Sequence, residues 1–258
     1  MNTTNLHAEK KAELLKLSLD LGREDRHLSI FGEGNTSCRL DEETFLVKAS
    51  GASLARLQEN QLVACRFAEL LPLLDAPGLS DAEVEKAILA SRVDPSAPKP
   101  SVEVVFHAYL LTLPGVEVVG HTHPLAVNQI LCAGDGPSRR FAEERRFAEE
   151  VVCCGRKSVL VPYCDPGTPL AQGIRQKVES YVASENRQPR IILIQSHGFI
   201  ALGSSTGAVL TATLMGEKSA RIFVAASLLG EPTVLTQEIV ERIDSRPDEH
   251  YRQRMLKL

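Results

Sequence analysis

Short apolar segments alternate with amphipathic segments through the second half of the chain, and this alternation is the strongest constraint on the fold. Residues 116–121, 158–162 and 190–195 have the apolar, β-branched character of buried strands. Residues 124–133 and 168–183, which separate them, have the spacing of amphipathic helices. Strands that alternate with helices are typical of a layered α/β domain, which is the fold class we predict.

The rest of the chain is assigned from hydrophobic spacing and from signals at element ends. Ser80 and Glu83 form a capping box, which predicts that a helix begins there. No stretch is long enough to act as a linker, so we predict one domain over residues 1–258. The other predicted elements are helices over residues 7–22, 101–113 and 205–229, strands over 36–40 and 44–49, and a polar helix after Gln237.

Charge and hydropathy exclude two broad classes of partner. The net charge is −4 and the pI is about 6.0, which does not suit a nucleic-acid-binding protein. No apolar run approaches the roughly 18 residues that span a bilayer, so we expect no membrane partner. No N-terminal apolar run with a cleavage site is present either, and we therefore expect a cytoplasmic protein.

The cysteines and a short tandem repeat both indicate structural roles. None of the six cysteines belongs to a Cys-x-x-Cys pair, so we predict free thiols. Adjacent Cys153 and Cys154 are interpreted as small apolar residues of a strand. Residues 139–144 are repeated as 145–150, which places Arg and Glu four positions apart and predicts a solvated surface helix.

His121 and His123 form the sharpest chemical signal in the sequence. Alternate residues of a strand point to one face, so two imidazoles spaced in this way can bind one metal ion. Two exposed or internally hydrogen-bonded histidines explain the same pattern. His197 follows another apolar strand and precedes a glycine, so it is a candidate third ligand. Three protein ligands and one open position are typical of catalytic zinc.

Glu103 is the candidate carboxylate of this site. It lies in the first turn of the helix predicted after Ser101, where free backbone amides stabilise a negative charge. A first-turn acid without any catalytic role explains Glu103 equally well. His107, four residues later on the same helix face, is a candidate to orient Glu103 or a packed core residue.

Three short polar segments are candidate anion-binding loops. Gly34 and Asn35, then Ser50 and Gly51, offer backbone amides with little steric cover, and Ser101 adds a hydroxyl at a helix start. The glycines of the first loop are a poor dinucleotide fingerprint, because a serine occupies the third glycine position. Walker A, zinc-protease and hydrolase-elbow motifs are absent from the sequence.

Taken in order, these motifs resemble the class II aldolase and adducin-head family, which includes fuculose-phosphate and rhamnulose-phosphate aldolases. The resemblance covers about residues 8–230. Its motifs are Gly34-Asn35-Thr36-Ser37, Ser50-Gly51, Pro100-Ser101-Val102-Glu103, His107, His121-Thr122-His123 and His197-Gly198.

The resemblance implies a three-layer α/β/α sandwich with a mixed, mostly antiparallel sheet, and a homotetramer with active sites at subunit interfaces. It implies zinc or a similar divalent ion on His121, His123 and His197, with Glu103 as a resting ligand and as the catalytic acid and base. It also implies a phosphate site formed by Gly34, Asn35, Ser50, Gly51 and Ser101.

Two departures from the family pattern concern the substrate. Val102 stands where phosphate-binding aldolases have a second serine, so one hydroxyl donor is lost. Residues 135–157 contain no tyrosine, although some family aldolases use one there as a proton donor. Tyr163 and Tyr251 are the candidate replacements.

The expected function is therefore that of a metal-dependent aldehyde-lyase. It would cleave a phosphorylated ketose or related sugar acid by a retro-aldol reaction, giving a product like dihydroxyacetone phosphate and an aldehyde. An epimerase, dehydratase or decarboxylase of a sugar phosphate would use the same metal site. A non-catalytic adducin-like binding module is the alternative from a different class, although such a module should lack the three histidines.

Overall fold

Seven strands in the part of the chain that the structure describes form one mixed sheet. The computed structural model describes residues 3–76, 78–249 and 251. The strands are β1 (Asn35–Arg39), β2 (Thr44–Lys48), β3 (Leu62–Arg66), β4 (Val118–Thr122), β5 (Val159–Val161), β6 (Ile191–Ile194) and β7 (Gly198–Gly203). Their spatial order is β3-β2-β1-β4-β7-β6-β5. Only β5 and β6 run parallel, and the other neighbours are antiparallel.

The α-helices precede the first strand, follow the last, or lie in the longer connections between strands. They are α1 (Thr3–Leu21), α2 (Phe67–Leu70), α3 (Asp81–Ala90), α4 (Val104–Leu111), α5 (Leu125–Leu131), α6 (Asp135–Glu143), α7 (Ala148–Cys154), α8 (Thr168–Glu185), α9 (Thr206–Leu229) and α10 (Gln237–Ser245). The predicted α/β class is therefore confirmed, as is a mixed and mostly antiparallel sheet. Within the described ranges, no helix is both long enough and apolar enough to cross a membrane.

Two consecutive residues of β4 show that helices cover both faces of the sheet. A Cβ atom on Gly120 would lie 2.6 Å from Val209 of α9 and 3.4 Å from Leu21 of α1. The ring of His121 instead meets Phe106 of α4 edge-on, with centroids 5.6 Å apart. Successive side chains of a strand point to opposite faces, so α1 and α9 lie on one face and α4 on the other.

The core is apolar on both sides of the sheet, which explains why several elements lack amphipathic patterning. Every residue of β6 is buried, as expected for a strand with both faces covered. Every residue of α4 is also buried, and a helix that is apolar all round belongs inside the protein. The buried helix α4 thus fixes the position of Glu103, which precedes its first residue and lies near the ends of β1 and β4.

Most element ends follow the predicted signals, but the helix predicted from Ser101 begins later. The Ser80 capping box is present at the start of α3. Helix α4 begins only at Val104, with Glu103 at the N-cap position. Pro100 pairs with Ala49 beside the sheet, which keeps the chain extended at this point. The Ser101 hydroxyl accepts a hydrogen bond from the Glu103 backbone N–H over 3.3 Å.

The predicted surface helix over the tandem repeat is wrong. Helix α6 ends at Glu143, so its last carbonyl groups need partners outside the helix. Arg145 is 2% exposed and donates to the Ala142 and Glu144 carbonyls over 3.2 and 2.9 Å. The next arginine, Arg146, forms a buried ion pair with a glutamate of α7. The repeat is therefore split between two helices, because Arg145, the first residue of the second copy, caps the end of α6.

The cysteine predictions are partly corrected. Cys153 and Cys154 are buried as expected, but they lie at the end of α7 and not in a strand. Two adjacent apolar residues do not distinguish a strand from a buried helix end. All six cysteines of the chain are free, as predicted.

Gly22→Ala should destabilise the fold, because a Cβ atom there would lie 2.2 Å from the Ala55 backbone nitrogen. Backbone cannot move aside as a side chain can, so the free energy of unfolding should fall by about 1–3 kcal/mol. Urea unfolding measures the change. Gly136→Ala is the matched control: its Cβ atom meets nothing within 4 Å, and Pro137, which disfavours a helical residue with a side chain before it, offsets the gain in helix propensity, so the change should stay within about 0.5 kcal/mol. Equal stabilities of the two variants would contradict this packing.

Candidate metal centre

Three histidines meet where β4 ends and β7 begins. His121 lies on β4, His123 follows the strand, and His197 lies in the turn between β6 and β7. Strands β4 and β7 are antiparallel, with Thr122 opposite Phe199, so the end of one adjoins the start of the other. Potential ligand nitrogens of the three histidines all lie within 4.8 Å of one another. The sheet register thus brings together residues that are distant in sequence.

The turn that carries His197 is shaped by its two neighbours. Ser196 has a φ of +53°, which is uncommon for a residue with a side chain. Gly198 lies against the other two histidines: a Cβ atom there would be 2.7 Å from the Thr122 carbonyl oxygen and 2.8 Å from His123 Cδ2. Glycine is therefore required at position 198 for the three rings to approach one another.

Hydrogen bonding and burial leave the ring nitrogens ready to bind a cation. His121 Nδ1 donates to the Phe199 carbonyl over 3.0 Å, so Nε2 keeps its lone pair. That Nε2 lies 3.1 Å from His123 Nε2. Burial lowers the pKa of His121, and burial together with the neighbouring rings lowers the pKa of His123 to about 4. Both rings are therefore neutral near pH 7, which is the form that binds metals.

Glu103 brings a carboxylate to the same point. Its Oε1 lies 3.2 Å from His197 Nε2, and its Oε2 lies 3.5 Å from His121 Nε2. Burial acts to raise the pKa of Glu103, but His121, His197 and the amide of Asn35 outweigh it, so this pKa lies well below its ordinary value. An ionised carboxylate therefore faces the three imidazoles.

This donor set fits a divalent metal ion. Imidazole nitrogens and one carboxylate oxygen are the ligands that zinc and its neighbours take in proteins. In addition, the buried Nδ1 of His197 has no hydrogen-bond partner among the described residues. A cation bound by His121, His123, His197 and Glu103 would balance the buried negative charge and use the lone pairs that converge there.

A chain of buried hydrogen bonds through Asn35, His107 and Ser37 orients Glu103. The Asn35 amide nitrogen donates to Glu103 Oε2 over 2.7 Å. Its carbonyl oxygen accepts from His107 Nε2, and His107 Nδ1 accepts from the Ser37 hydroxyl over 2.6 Å. Burial lowers the pKa of His107 to about 3, so its ring stays neutral. His107 thus contacts Asn35 and acts on Glu103 only through that residue.

The residues predicted for phosphate binding form two groups, of which the one with Asn35 and Ser101 adjoins Glu103. Asn35 donates to the Ser101 hydroxyl over 3.1 Å, which joins the first loop to the start of α4. Ser50 and Gly51 lie in the loop after β2, and their backbone is attached to the segment before Ser101, because Ser50 N–H donates to the Lys99 carbonyl over 2.8 Å. Among described residues, Ser50 and Gly51 have no direct hydrogen bond to Asn35 or Glu103.

Lys48 is a site residue that the sequence interpretation missed. It is 2% exposed, and its amine donates to the carbonyls of Ala52 over 2.5 Å and Gly32 over 3.3 Å. The amine therefore ties together the two glycine-containing loops. Burial lowers the pKa of Lys48 to about 8, although Glu103 acts in the opposite direction. A lone lysine at the end of the apolar strand Thr44–Lys48 was the available signal.

Neither candidate tyrosine touches the histidine cluster in the described part of the chain. Tyr163 is 58% exposed, and its hydroxyl donates to Asp165 over 3.1 Å. Tyr251 is 60% exposed. A proton donor for a product aldehyde is therefore not assigned among the side chains of this site.

Comparison with known proteins shows the family of the chain. The class II aldolase and adducin N-terminal domain family matches over residues 12–224, and the chain belongs to that family. The resemblance read from the motifs is therefore confirmed.

Two curated relatives and one solved structure are similar over most of this chain. "Uncharacterized oxidoreductase YuxG" of Bacillus subtilis is 28% identical over 76% of this chain, which spans only 27% of that protein. The 3-oxo-tetronate 4-phosphate decarboxylase of Haemophilus influenzae is 26% identical over 81% of this chain and 85% of its own length. An L-fuculose 1-phosphate aldolase structure shares the fold, with a TM-score of 0.71, 19% identity, and coverage of 92% of this chain and 95% of its own.

Gly198→Ala should weaken zinc binding by about 10–100-fold, the range found when residues that orient metal ligands are changed. The added Cβ atom would lie 3.1 Å from His121 Cε1 and closer still to the His123 ring, so both rings must move. Competition with a chromophoric chelator measures the affinity. Gly136→Ala, remote from the rings, should bind zinc like the wild type. An unchanged affinity in Gly198→Ala would show that these ring positions do not determine metal binding.

Proposed function

We propose that this chain is a metal-dependent lyase that breaks a carbon–carbon bond in a phosphorylated ketose or a related sugar acid. Retro-aldol cleavage, giving an aldehyde and a product like dihydroxyacetone phosphate, is the reaction we place first. The observation that carries the proposal is the convergence of three imidazoles and ionised Glu103 beside a loop pair joined by a buried lysine.

His121, His123 and His197 would hold the metal ion, with Glu103 as a fourth ligand before substrate arrives. Zinc or a similar divalent cation supplies Lewis-acid stabilisation of the negative charge that develops on a carbonyl oxygen when the bond breaks. The chain itself holds His121 in the required tautomer: the hydrogen bond from its Nδ1 to the Phe199 carbonyl directs the Nε2 lone pair toward the cluster.

Glu103 is the residue we assign to proton transfer. Its carboxylate is ionised, and can accept the proton of the substrate hydroxyl as the carbon–carbon bond breaks. It can then return this proton to the carbon that carries the enolate charge. The hydrogen bond from Asn35 holds Oε2, while Oε1 faces His197, so both oxygens have defined directions.

The loops beside Glu103 suit an anionic group on the substrate. Beside Asn35, the hydroxyls of Ser50 and Ser101 and the backbone of Gly34 and Gly51 supply donors, and Lys48 places a positive charge between the two loops. Val102 is 41% exposed next to these donors and offers no hydroxyl. We therefore assign the phosphate or carboxylate of the substrate to this region, with fewer donors than two serines would give.

A second candidate is decarboxylation of a 3-oxo acid phosphate. The Haemophilus influenzae relative carries that activity in its name and matches over most of both chains. Both reactions leave an enolate, so the site alone serves either. After retro-aldol cleavage Glu103 returns the proton that it took from the substrate hydroxyl, whereas after decarboxylation the proton comes from water and Glu103 would relay it. Assays on ketose phosphates, sugar acids and 3-oxo acid phosphates, following aldehyde and carbon dioxide separately, distinguish them. Release of neither product from any substrate would overturn the lyase proposal.

We propose a cytoplasmic homotetramer built from one domain over residues 1–258, with active sites at subunit interfaces. Apolar side chains at the rim of the site support an interface there: Ile30 is 62% exposed, Phe31 90% and Leu125 55%. A monomer in sedimentation equilibrium would contradict this assembly.

Glu103→Gln should lower kcat by about 10²–10⁴-fold, because the amide cannot carry the transferred proton. The second readout is exchange of a carbon-bound proton of dihydroxyacetone phosphate with solvent deuterium, which should disappear with kcat. Metal content is measured on the same samples. A variant that keeps its metal and exchanges this proton at the wild-type rate would remove Glu103 from proton transfer.

Lys48→Met should weaken binding of a phosphorylated ligand by roughly tenfold or more, since a hydrogen bond to a charged group contributes about 1.5–3 kcal/mol. The pKa of Lys48 is about 8. Its charge is thus present at pH 7 and is lost above pH 8, so wild-type affinity should fall across that interval. Calorimetric titration from pH 7 to 9 measures both effects. If the affinity of Lys48→Met falls with pH as the wild-type affinity does, the titrating group is not Lys48.

A further inference from the structure

Helix α5 follows His123 along the chain and contacts the turn that carries His197. It begins without a capping side chain of its own. Its N-cap residue is Pro124, which follows His123 directly and has no side-chain acceptor. The first backbone N–H groups of any helix lack partners within the helix. In α5 these groups are buried, since Ala126 is 4% exposed and Val127 is not exposed. Another part of the chain must therefore supply an acceptor.

That acceptor is the carboxylate of Glu217, which comes from α9. Its Oε2 accepts from the backbone N–H of Ala126 over 3.1 Å and of Val127 over 3.4 Å. Glu217 is only 5% exposed, and Arg221 donates to its other oxygen over 2.8 Å. A carboxylate at a helix N-terminus is favoured by the free amides and by the helix dipole. Glu217 thus attaches the start of α5 to α9.

The same helix holds the turn that carries His197. The Asn128 amide nitrogen donates to the His197 carbonyl over 3.1 Å. One turn further on, the Leu131 carbonyl accepts from the Ser196 backbone N–H over 3.4 Å. A displacement of α5 would therefore move the His197 turn as well as the chain that leaves His123.

We propose that Glu217 and Asn128 are positioning residues for the metal centre, with Glu217 fixing α5 and Asn128 transmitting that position to His197. The inference rests on the proposed metal-binding function. Neither side chain is among the ligands, so both act through backbone: Glu217 through the amides of α5, and Asn128 through the His197 carbonyl. Their removal should disturb the ligand geometry more than the fold.

Binding of cobalt(II) chloride to the purified full chain tests this inference, because visible absorption of cobalt reports ligand geometry independently of activity. Glu217→Ala and Asn128→Ala should each bind cobalt about 10–100-fold more weakly and show an altered absorption band, as for other residues that orient ligands. Glu217→Gln keeps an acceptor oxygen, so it should recover most of the affinity that the alanine variant loses.

Ser205→Ala is the matched control. Ser205 caps the start of the same helix α9, about three turns before Glu217, and its hydroxyl accepts from Ala208 N–H over 3.1 Å. This variant loses a helix cap and should bind cobalt like the wild type, and circular dichroism and urea unfolding compare the stabilities. Should Glu217→Ala not fold, Glu217→Gln and Asn128→Ala still carry the test.

Two results would overturn the inference. In the first, Glu217→Ala and Asn128→Ala lose stability as Ser205→Ala does but keep wild-type cobalt affinity and absorption, which would make both residues structural only. In the second, the wild type itself binds no cobalt, which would refute the metal centre and this inference with it.

Discussion

The pairing of β4 with β7 is the interaction on which the rest of the structure depends. It ends one strand beside the start of the other, so His123 and His197, which lie just outside the paired residues, face each other. The Phe199 carbonyl that sets the His121 tautomer belongs to β7 itself. A shift of register by one residue would turn His121 to the opposite face of the sheet. Backbone pairing therefore determines ligand geometry before any metal binds.

Burial then sets the electrostatic state of the site. Burial lowers the pKa of His121 and His123, so both rings stay neutral, while His121, His197 and Asn35 keep the pKa of Glu103 low in spite of its burial. An isolated buried carboxylate is costly, and hydrogen bonds from the sheet side offset part of that cost. The remainder is what a bound divalent cation would balance. The buried carboxylate and the converging imidazoles are costly without a cation. The same groups would bind a divalent metal ion, a Lewis acid, next to Glu103, which acts as a base.

Much of the fold could be predicted from the sequence, because strands and helices here carry their own local patterns and end signals. The histidine and Glu103 motifs could also be recognised in the sequence, although the meeting of these side chains at one point depends on the pairing of β4 with β7. Other features depend on partners far along the chain. Arg145 is buried because it caps a helix end, and Lys48 because two loops offer carbonyls to its amine. Glu217 meets α5 from 91 positions away, which no local pattern indicates.

X-ray absorption spectroscopy of the zinc-loaded protein tests the central claim most directly. The structure predicts zinc surrounded by nitrogen and oxygen at about 2.0–2.1 Å, with the multiple-scattering pattern of three imidazoles. Replacement of His197 by alanine should remove one imidazole from that pattern. Sulfur ligands at about 2.3 Å would instead assign the metal to cysteines. That result, or a shell with fewer than two imidazoles, would contradict a centre built on His121, His123 and His197.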